Sequence, residues 1–179
     1  MGTKIIGIVG SLREKSINRG LMNAFKDSAP EGVELEIAQI DNLPLYSEDL
    51  DKNYPESALQ LKSIIESADA LIIATPEYNR SVSGVLKNAI DVASRPAKSN
   101  SFDGKPVLVI SASPGGAGGA MAQYHLKQTL LHLNMTVIGQ PEFWVGGAGD
   151  KFNEDGALTD ENTKKFIEVG WGALLKEVK

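Results

Sequence analysis

Apolar residues fall in short unbroken blocks along this chain rather than in long stripes. Ile5-Ile6-Gly7-Ile8-Val9, Leu71-Ile72-Ile73-Ala74 and Val107-Leu108-Val109-Ile110 contain no polar position, the mark of strands buried on both faces. Val33-Glu34-Leu35-Glu36-Ile37 alternates instead and reads as an edge strand with one wet face. The pattern predicts five strands, at Lys4–Gly10, Val33–Ile40, Ala70–Thr75, Pro106–Ala112 and Met135–Ile138. Between and after them, helical patterns occupy Asn18–Ser28, Pro55–Ser67, Ser83–Ala93, Gly119–Leu133 and Thr159–Val178, with Pro55 read as a first-turn proline and Thr159 as an N-cap ahead of Asp160 and Glu161. Strand and helix alternating in this way predict an α/β, doubly wound, five-stranded parallel sheet with helices on both faces. No repeat or low-complexity segment interrupts it, and 179 residues suit a single domain over 1–179.

That architecture limits where chemistry can occur, because ligands of open α/β sheets bind beyond the carboxyl ends of the strands, where the strand order reverses. Three loops leave those ends: Ser11–Asn18, Pro76–Ser83 and Ser113–Gly119. They are expected to converge on one crevice. Composition narrows the chemistry further. With 18 basic against 23 acidic residues the net charge is −5, so neither a nucleic-acid surface nor a basic membrane-binding helix is expected. A chain without cysteine has no disulfide, thiolate nucleophile or cysteine-held metal cluster. Its start, Met1-Gly-Thr-Lys-Ile-Ile, lacks the pattern of a secretory leader, and no run approaches membrane-spanning length, so the expectation is a soluble cytoplasmic protein.

The first loop, Gly10-Ser11-Leu12-Arg13-Glu14-Lys15-Ser16-Ile17-Asn18-Arg19, gathers two hydroxyls, an amide and three cations at the mouth of a helix. Backbone N–H groups and the helix dipole favour an anion there, and Arg13 can contact it bidentately. The plainer alternative is a strand-to-helix turn capped by Ser16 or Asn18. Neither the nucleoside-triphosphate loop nor the three-glycine dinucleotide pattern fits: Glu14-Lys15-Ser16 lacks the required preceding glycine, and Gly7 and Gly10 do not start the second motif. A terminal monophosphate held largely by side chains fits better.

In the second loop, Pro76-Glu77-Tyr78-Asn79-Arg80-Ser81 sets a planar aromatic beside an amide, a combination suited to a flat heterocycle with polar edges, or simply a turn with a surface tyrosine. Glu77 is open between a general base, an interface partner and a solvated carboxylate. With no candidate partner nearby, a structural role is favoured. The third loop, Ser111-Ala112-Ser113-Pro114-Gly115-Gly116-Ala117-Gly118-Gly119, has four glycines in five positions, which lets backbone N–H groups come close to a ring edge; a flexible loop would have the same composition. His125 and His132, seven apart with apolar neighbours, read as core or interface residues rather than metal ligands. No metal site and no Gly-x-Ser-x-Gly elbow is expected. Trp144 reads as interface or pocket wall.

Taken together, Gly10-Ser11-Leu12-Arg13 with Ser16 and Asn18, Thr75-Pro76-Glu77-Tyr78-Asn79, and Leu86-Lys87-Asn88-Ala89-Ile90-Asp91 resemble the NAD(P)H-dependent FMN reductase family of the flavodoxin-like fold, which includes bacterial quinone and chromate reductases. The likeness runs from Lys4 to about Phe143. It implies that Ser11, Arg13, Ser16 and Asn18 hold an FMN phosphate with backbone from Leu12 to Ile17, that Pro76, Glu77, Tyr78 and Asn79 line the ring, and that Ala112, Ser113, Pro114 and Gly115 approach its other edge. The chain departs from the family at Ser83-Gly84, often Pro-Gly, and at Val92, often tryptophan. Neither position is a phosphate or ring residue. The expected activity is transfer of two electrons from NADH or NADPH through FMN to a quinone or other small oxidant, with no catalytic side chain because the cofactor carries the reaction. The rival expectation is a flavodoxin-type one-electron carrier. The resemblance also implies a homodimer or homotetramer. In the sequence, Met121, Tyr124, His125 and Gln128 could present one helix face to a partner and Gly146–Gly156 could cover a neighbouring site, or both could equally be open to solvent.

Overall fold

In a computed structural model describing residues 2–178, the unbroken apolar blocks form the centre of a parallel sheet. Its principal strands are β1 (Thr3–Val9), β2 (Val33–Ile37), β3 (Ala70–Ala74) and β6 (Pro106–Ala112), in the order β2-β1-β3-β6. Every β3 and β6 residue is buried. Side chains alternate between two cores. Ile5, Ile72, Leu108 and Ile110 face one, with α1 (Ile17–Asp27) and α5 (Glu161–Leu175). Ile6, Ile8, Leu71, Ile73, Val107 and Val109 face the other, with α2 (Glu56–Glu66), α3 (Gly84–Ala93) and α4 (Ala120–His132). The expected layering of helices on both faces is therefore present, and β2 does lie at the edge.

Beyond β6 the sheet differs from the five strands expected. The last position is divided between β7 (Thr136–Val137), paired with Pro106 and Val107, and β8 (Phe143–Val145), paired with Ile110 to Ala112. Both are parallel to β6, and Pro141, which has no N–H to donate, lies in the gap. Phe143 anchors β8 by burial against Phe25, whose ring lies 5.1 Å away edge-on, and against Phe166, stacked at 4.3 Å. Two more short strands, β4 (Glu77–Tyr78) and β5 (Ser81–Val82), form an antiparallel hairpin apart from the main sheet.

Helix boundaries fall close to those expected, with two corrections. Pro55 is the N-cap of α2 rather than a residue of its first turn. The N-cap of α5 is Asp160, not Thr159: its Oδ2 accepts from the Thr163 N–H at 2.8 Å and hydroxyl at 2.7 Å. Those hydrogen bonds to the charged form hold the Asp160 carboxyl below its ordinary pKa. Thr159 instead donates its hydroxyl to the Lys151 carbonyl.

Candidate functional site

Strand order reverses between β1 and β3, and the loops after them flank that point. Gly10 ends β1 where no side chain fits: a Cβ there would stand 2.8 Å from Leu86 and 3.1 Å from Pro76. Ser83, the N-cap of α3, donates to the Gly10 carbonyl at 2.6 Å and accepts from Leu86 N–H at 3.4 Å. A single hydroxyl thus starts a helix and joins the first loop to the second.

Along the first loop, Ser16 is the N-cap of α1, its Oγ accepting from Arg19 N–H at 3.2 Å. The capping alternative for this turn is therefore correct for Ser16, which still has a hydroxyl proton to donate. Asn18 is buried and its amide is doubly engaged: Oδ1 accepts from Ala112 N–H and Nδ2 donates to Ala112 C=O, each at 3.0 Å. Both atoms hold the third loop, and one Nδ2 proton remains. Ser11 and Ser16 are buried, whereas Leu12, Arg13 and Lys15 are exposed. Arg13, Lys15 and Arg19 make no ion pair among the described residues. Three exposed cations, with Glu14 among them, thus flank a helix N-terminus.

Glu77 has partners that its local sequence does not reveal. Oε2 accepts from the backbone N–H groups of Met121 at 3.1 Å and Ala122 at 3.3 Å, in the first turn of α4, while Oε1 accepts from Arg80 at 3.3 Å. The carboxylate satisfies a helix N-terminus and complements its dipole. This structural role is the one favoured from sequence, although partners are present where none was expected. Tyr78 is 47% exposed, and Asn79 and Arg80 form the hairpin turn.

The third loop is held at its stems. Ser111 donates to the Gly118 carbonyl at 2.6 Å and accepts from Gln123 Nε2 at 2.8 Å, and that same nitrogen donates to Phe143 C=O at 2.7 Å. Ser113 N–H donates to Val145 C=O, and Ala148 N–H donates to Ser113 C=O. The segment from Val145 to Ala148 therefore packs on its own chain's loop. Trp144 is part of β8, directly beside Gly118.

All of the expected cofactor residues except Leu12, Asn79 and Gly115 line one crevice of about 220 Å³. These three lie at its margin and are exposed. Sequence reasoning missed Ser83 and Gln123 as supports of the site. Gln123 was detectable in principle, since its spacing to Leu126 and Leu130 places it on the buried face of α4. His125 and His132 are both exposed, which rules out the core reading; His125 Nδ1 lies 3.0 Å from Ser81 Oγ. No group of three or more acidic or imidazole side chains suited to a metal exists among the described residues. A larger groove of about 390 Å³ lies between α1 and α5, but its cation, Lys164, is paired with Glu161.

The donors around the crevice fit FMN. A capped helix N-terminus, the Ser11 and Ser16 hydroxyls and the unpaired Arg13 suit a phosphate monoester. Buried Pro76 and Ala112 offer apolar walls, and the backbone of the glycine-rich loop offers donors to a ring edge.

The model of the NADPH-dependent FMN reductase family matches residues 3–150. A quinone reductase of Pseudomonas putida is 43% identical over 163 residues, covering 90% of this chain and 87% of the relative. An NAD(P)H:quinone oxidoreductase of Solanum tuberosum is 45% identical over 174 residues, covering 93% of this chain and 88% of the relative. Among solved structures, the flavoenzyme NAD(P)H:(acceptor) oxidoreductase FerB of Paracoccus denitrificans superposes with a TM-score of 0.88 at 40% identity, covering 98% of each chain.

Proposed function

Because the chain belongs to the NADPH-dependent FMN reductase family, we propose that it binds FMN in the crevice and passes two electrons from NADPH or NADH to a quinone or similar small oxidant. The observation that carries this reading is the meeting of three loops at the strand-order switch, one with the donors for a phosphate monoester and two with walls for a flat ring. FMN, when bound, supplies the relay between a hydride donor and the acceptor.

The chain's own residues bind and orient. Arg13, Ser11, Ser16 and the N-terminus of α1, with backbone from Leu12 to Ile17, hold the phosphate. Asn18 ties the phosphate loop to Ala112, so phosphate and ring sites keep a fixed separation. Pro76, Glu77, Tyr78 and Asn79 border one side of the ring, and Ala112 to Gly115 the other. No side chain is assigned a proton-transfer role, because positioning suffices for hydride transfer. Residues 1–179 act as one unit.

A second copy completes the assembly, as a homodimer or homotetramer. Met121 and Tyr124 are 43% and 51% exposed, and His125 and Gln128 lie open beside them on α4; light scattering measures the oligomer. No helix among the described residues is long and apolar enough to cross a membrane, which is compatible with a cytoplasmic location.

The test is to add FMN or FAD to flavin-free protein and follow binding, then measure NAD(P)H oxidation with a benzoquinone. Uptake of FMN alone and parallel double-reciprocal lines are expected, because donor and acceptor use the same open face in turn. Binding of FMN with negligible NAD(P)H oxidation supports the one-electron carrier instead.

A further inference from the structure

Arg80 occupies a backbone position that its side chain disfavours. The β4–β5 hairpin pairs Glu77 with Val82 and Tyr78 with Ser81, leaving Asn79 and Arg80 as a two-residue loop with φ of +51° and +64°. Two successive left-handed residues make the turn that matches the twist of a tight hairpin, and its second position favours glycine. Asparagine tolerates this region through local hydrogen bonds of its short side chain; the Cβ of arginine comes close to the following carbonyl oxygen without that compensation. Residues held in sparsely populated conformations cluster where a ligand is handled, so the function of the guanidinium is the question.

The surroundings of Arg80 leave most of its donors available. Its side chain is 77% exposed, with one contact, from Nη1 to Glu77 Oε1 at 3.3 Å. A guanidinium carries five N–H donors, and no other partner of this one is present among the described residues. Glu77 does not close off the guanidinium, since one carboxylate oxygen reaches a single Nη and the other is committed to two N–H groups of α4. The carboxylate instead braces the arginine from one side.

What lies around this cation indicates the ligand. The hairpin follows directly on Pro76, and its Glu77 and Tyr78 line the crevice while Arg80 stands outside the lining, on the side of the second loop rather than in the turn of Ser11–Asn18. Tyr78, which lines the crevice in the same hairpin, is 47% exposed. An open cation with an exposed aromatic ring beside it suits a ligand that carries phosphate and flat rings together. We propose that Arg80 receives a phosphate of the dinucleotide donor, NADPH or NADH, and that the strained turn is retained to place this guanidinium at the mouth of the crevice. This assignment rests on the flavin reading of the crevice. It adds a residue that binds the donor.

Arg80→Gly separates this role from a structural one. Glycine relieves the turn, so the variant is expected to melt at or above the wild-type temperature. A charge-assisted contact removed from the donor raises the KM for NADPH about tenfold or more at little cost in kcat, and raises the dissociation constant for NADP+ by a similar factor in calorimetry on the FMN-loaded protein. Arg80→Lys is expected to recover part of the loss. N-benzyl-1,4-dihydronicotinamide, a donor without phosphate, is expected to react with both proteins at rates within about twofold of each other. Equal losses for NADH and NADPH place the contact on the pyrophosphate, whereas a loss confined to NADPH places it on the 2′-phosphate; each supports the assignment. Unchanged KM and dissociation constants, or an equal loss with the benzyl donor, overturn it. Wild-type protein that takes up no FMN overturns the reading of the crevice, and this one with it.

Discussion

Asn18→Ala removes the two hydrogen bonds that join α1 to the third loop. The amide meets Ala112 N–H and C=O at 3.0 Å each, in a setting where Asn18 is 5% exposed. A buried backbone group left without a partner costs about 1–3 kcal/mol, so stranding both predicts a loss of about 2–6 kcal/mol. That is a large share of the roughly 5–15 kcal/mol that stabilises a typical domain. Asn18→Asp gives a sharper result. A carboxylate at this position still accepts from Ala112 N–H but repels Ala112 C=O, whereas a protonated carboxyl serves both. The new carboxyl therefore has a higher pKa folded than unfolded. The folded state then binds more protons, so the variant's deficit relative to wild type is smallest near about pH 4 and widens as pH rises. Urea unfolding of flavin-free protein, followed by tryptophan fluorescence across that range, measures both effects. A loss below about 1 kcal/mol for Asn18→Ala, together with a deficit for Asn18→Asp that does not change with pH, would refute the reasoning.

Arg13→Ala is expected to weaken FMN binding about tenfold to a hundredfold while leaving the melting temperature of the flavin-free protein unchanged, since Arg13 is exposed and makes no ion pair among the described residues; a flavin titration reads it. Lys62 Nζ donates to the carbonyls of Ala93, Arg95 and Ser99. Lys62→Met should cost about 2–4 kcal/mol and expose the 94–100 loop to limited proteolysis, with unaltered cleavage as the contrary result. Burial, followed by the charges of Tyr46 and Asp51, pushes the Tyr54 hydroxyl up to about 12, and it donates to Val92 C=O at 2.6 Å. Its contribution to stability is complete below the unfolded value near 10 and fades as pH climbs towards 12, so Tyr54→Phe should flatten the alkaline limb of the stability profile.

The central strands were legible because burial on both faces leaves a run of apolar residues that no other element of that length produces. β8 was not, since Phe143-Trp144-Val145 is three residues long behind a proline, too short for periodicity to register. The β4–β5 hairpin escaped for a related reason: Asn79-Arg80 lacks the glycine that usually marks such a turn. Within the crevice, residue types were readable and partners were not. Asn18 and Ala112 are 94 positions apart, and Glu77 reaches α4 across 44 and 45. Local sequence carries no record of either contact. Glu77 and Asn18 both looked available for a ligand, yet the Asn18 amide is held at both ends by Ala112 and the Glu77 carboxylate accepts three hydrogen bonds from the fold.

Side-chain links connect each loop of the crevice to another part of the chain: Ser83 to Gly10, Asn18 to Ala112, Glu77 to the start of α4, and Ser111 across the third loop to Gly118. Each of these links runs between groups of the chain itself. The crevice is braced by protein on protein, so filling it is expected to demand little ordering of backbone. Entry and exit of a cofactor can then proceed without local melting, so its binding heat should vary only gently with temperature, and amide exchange along these loop stems should be slow already in the empty protein.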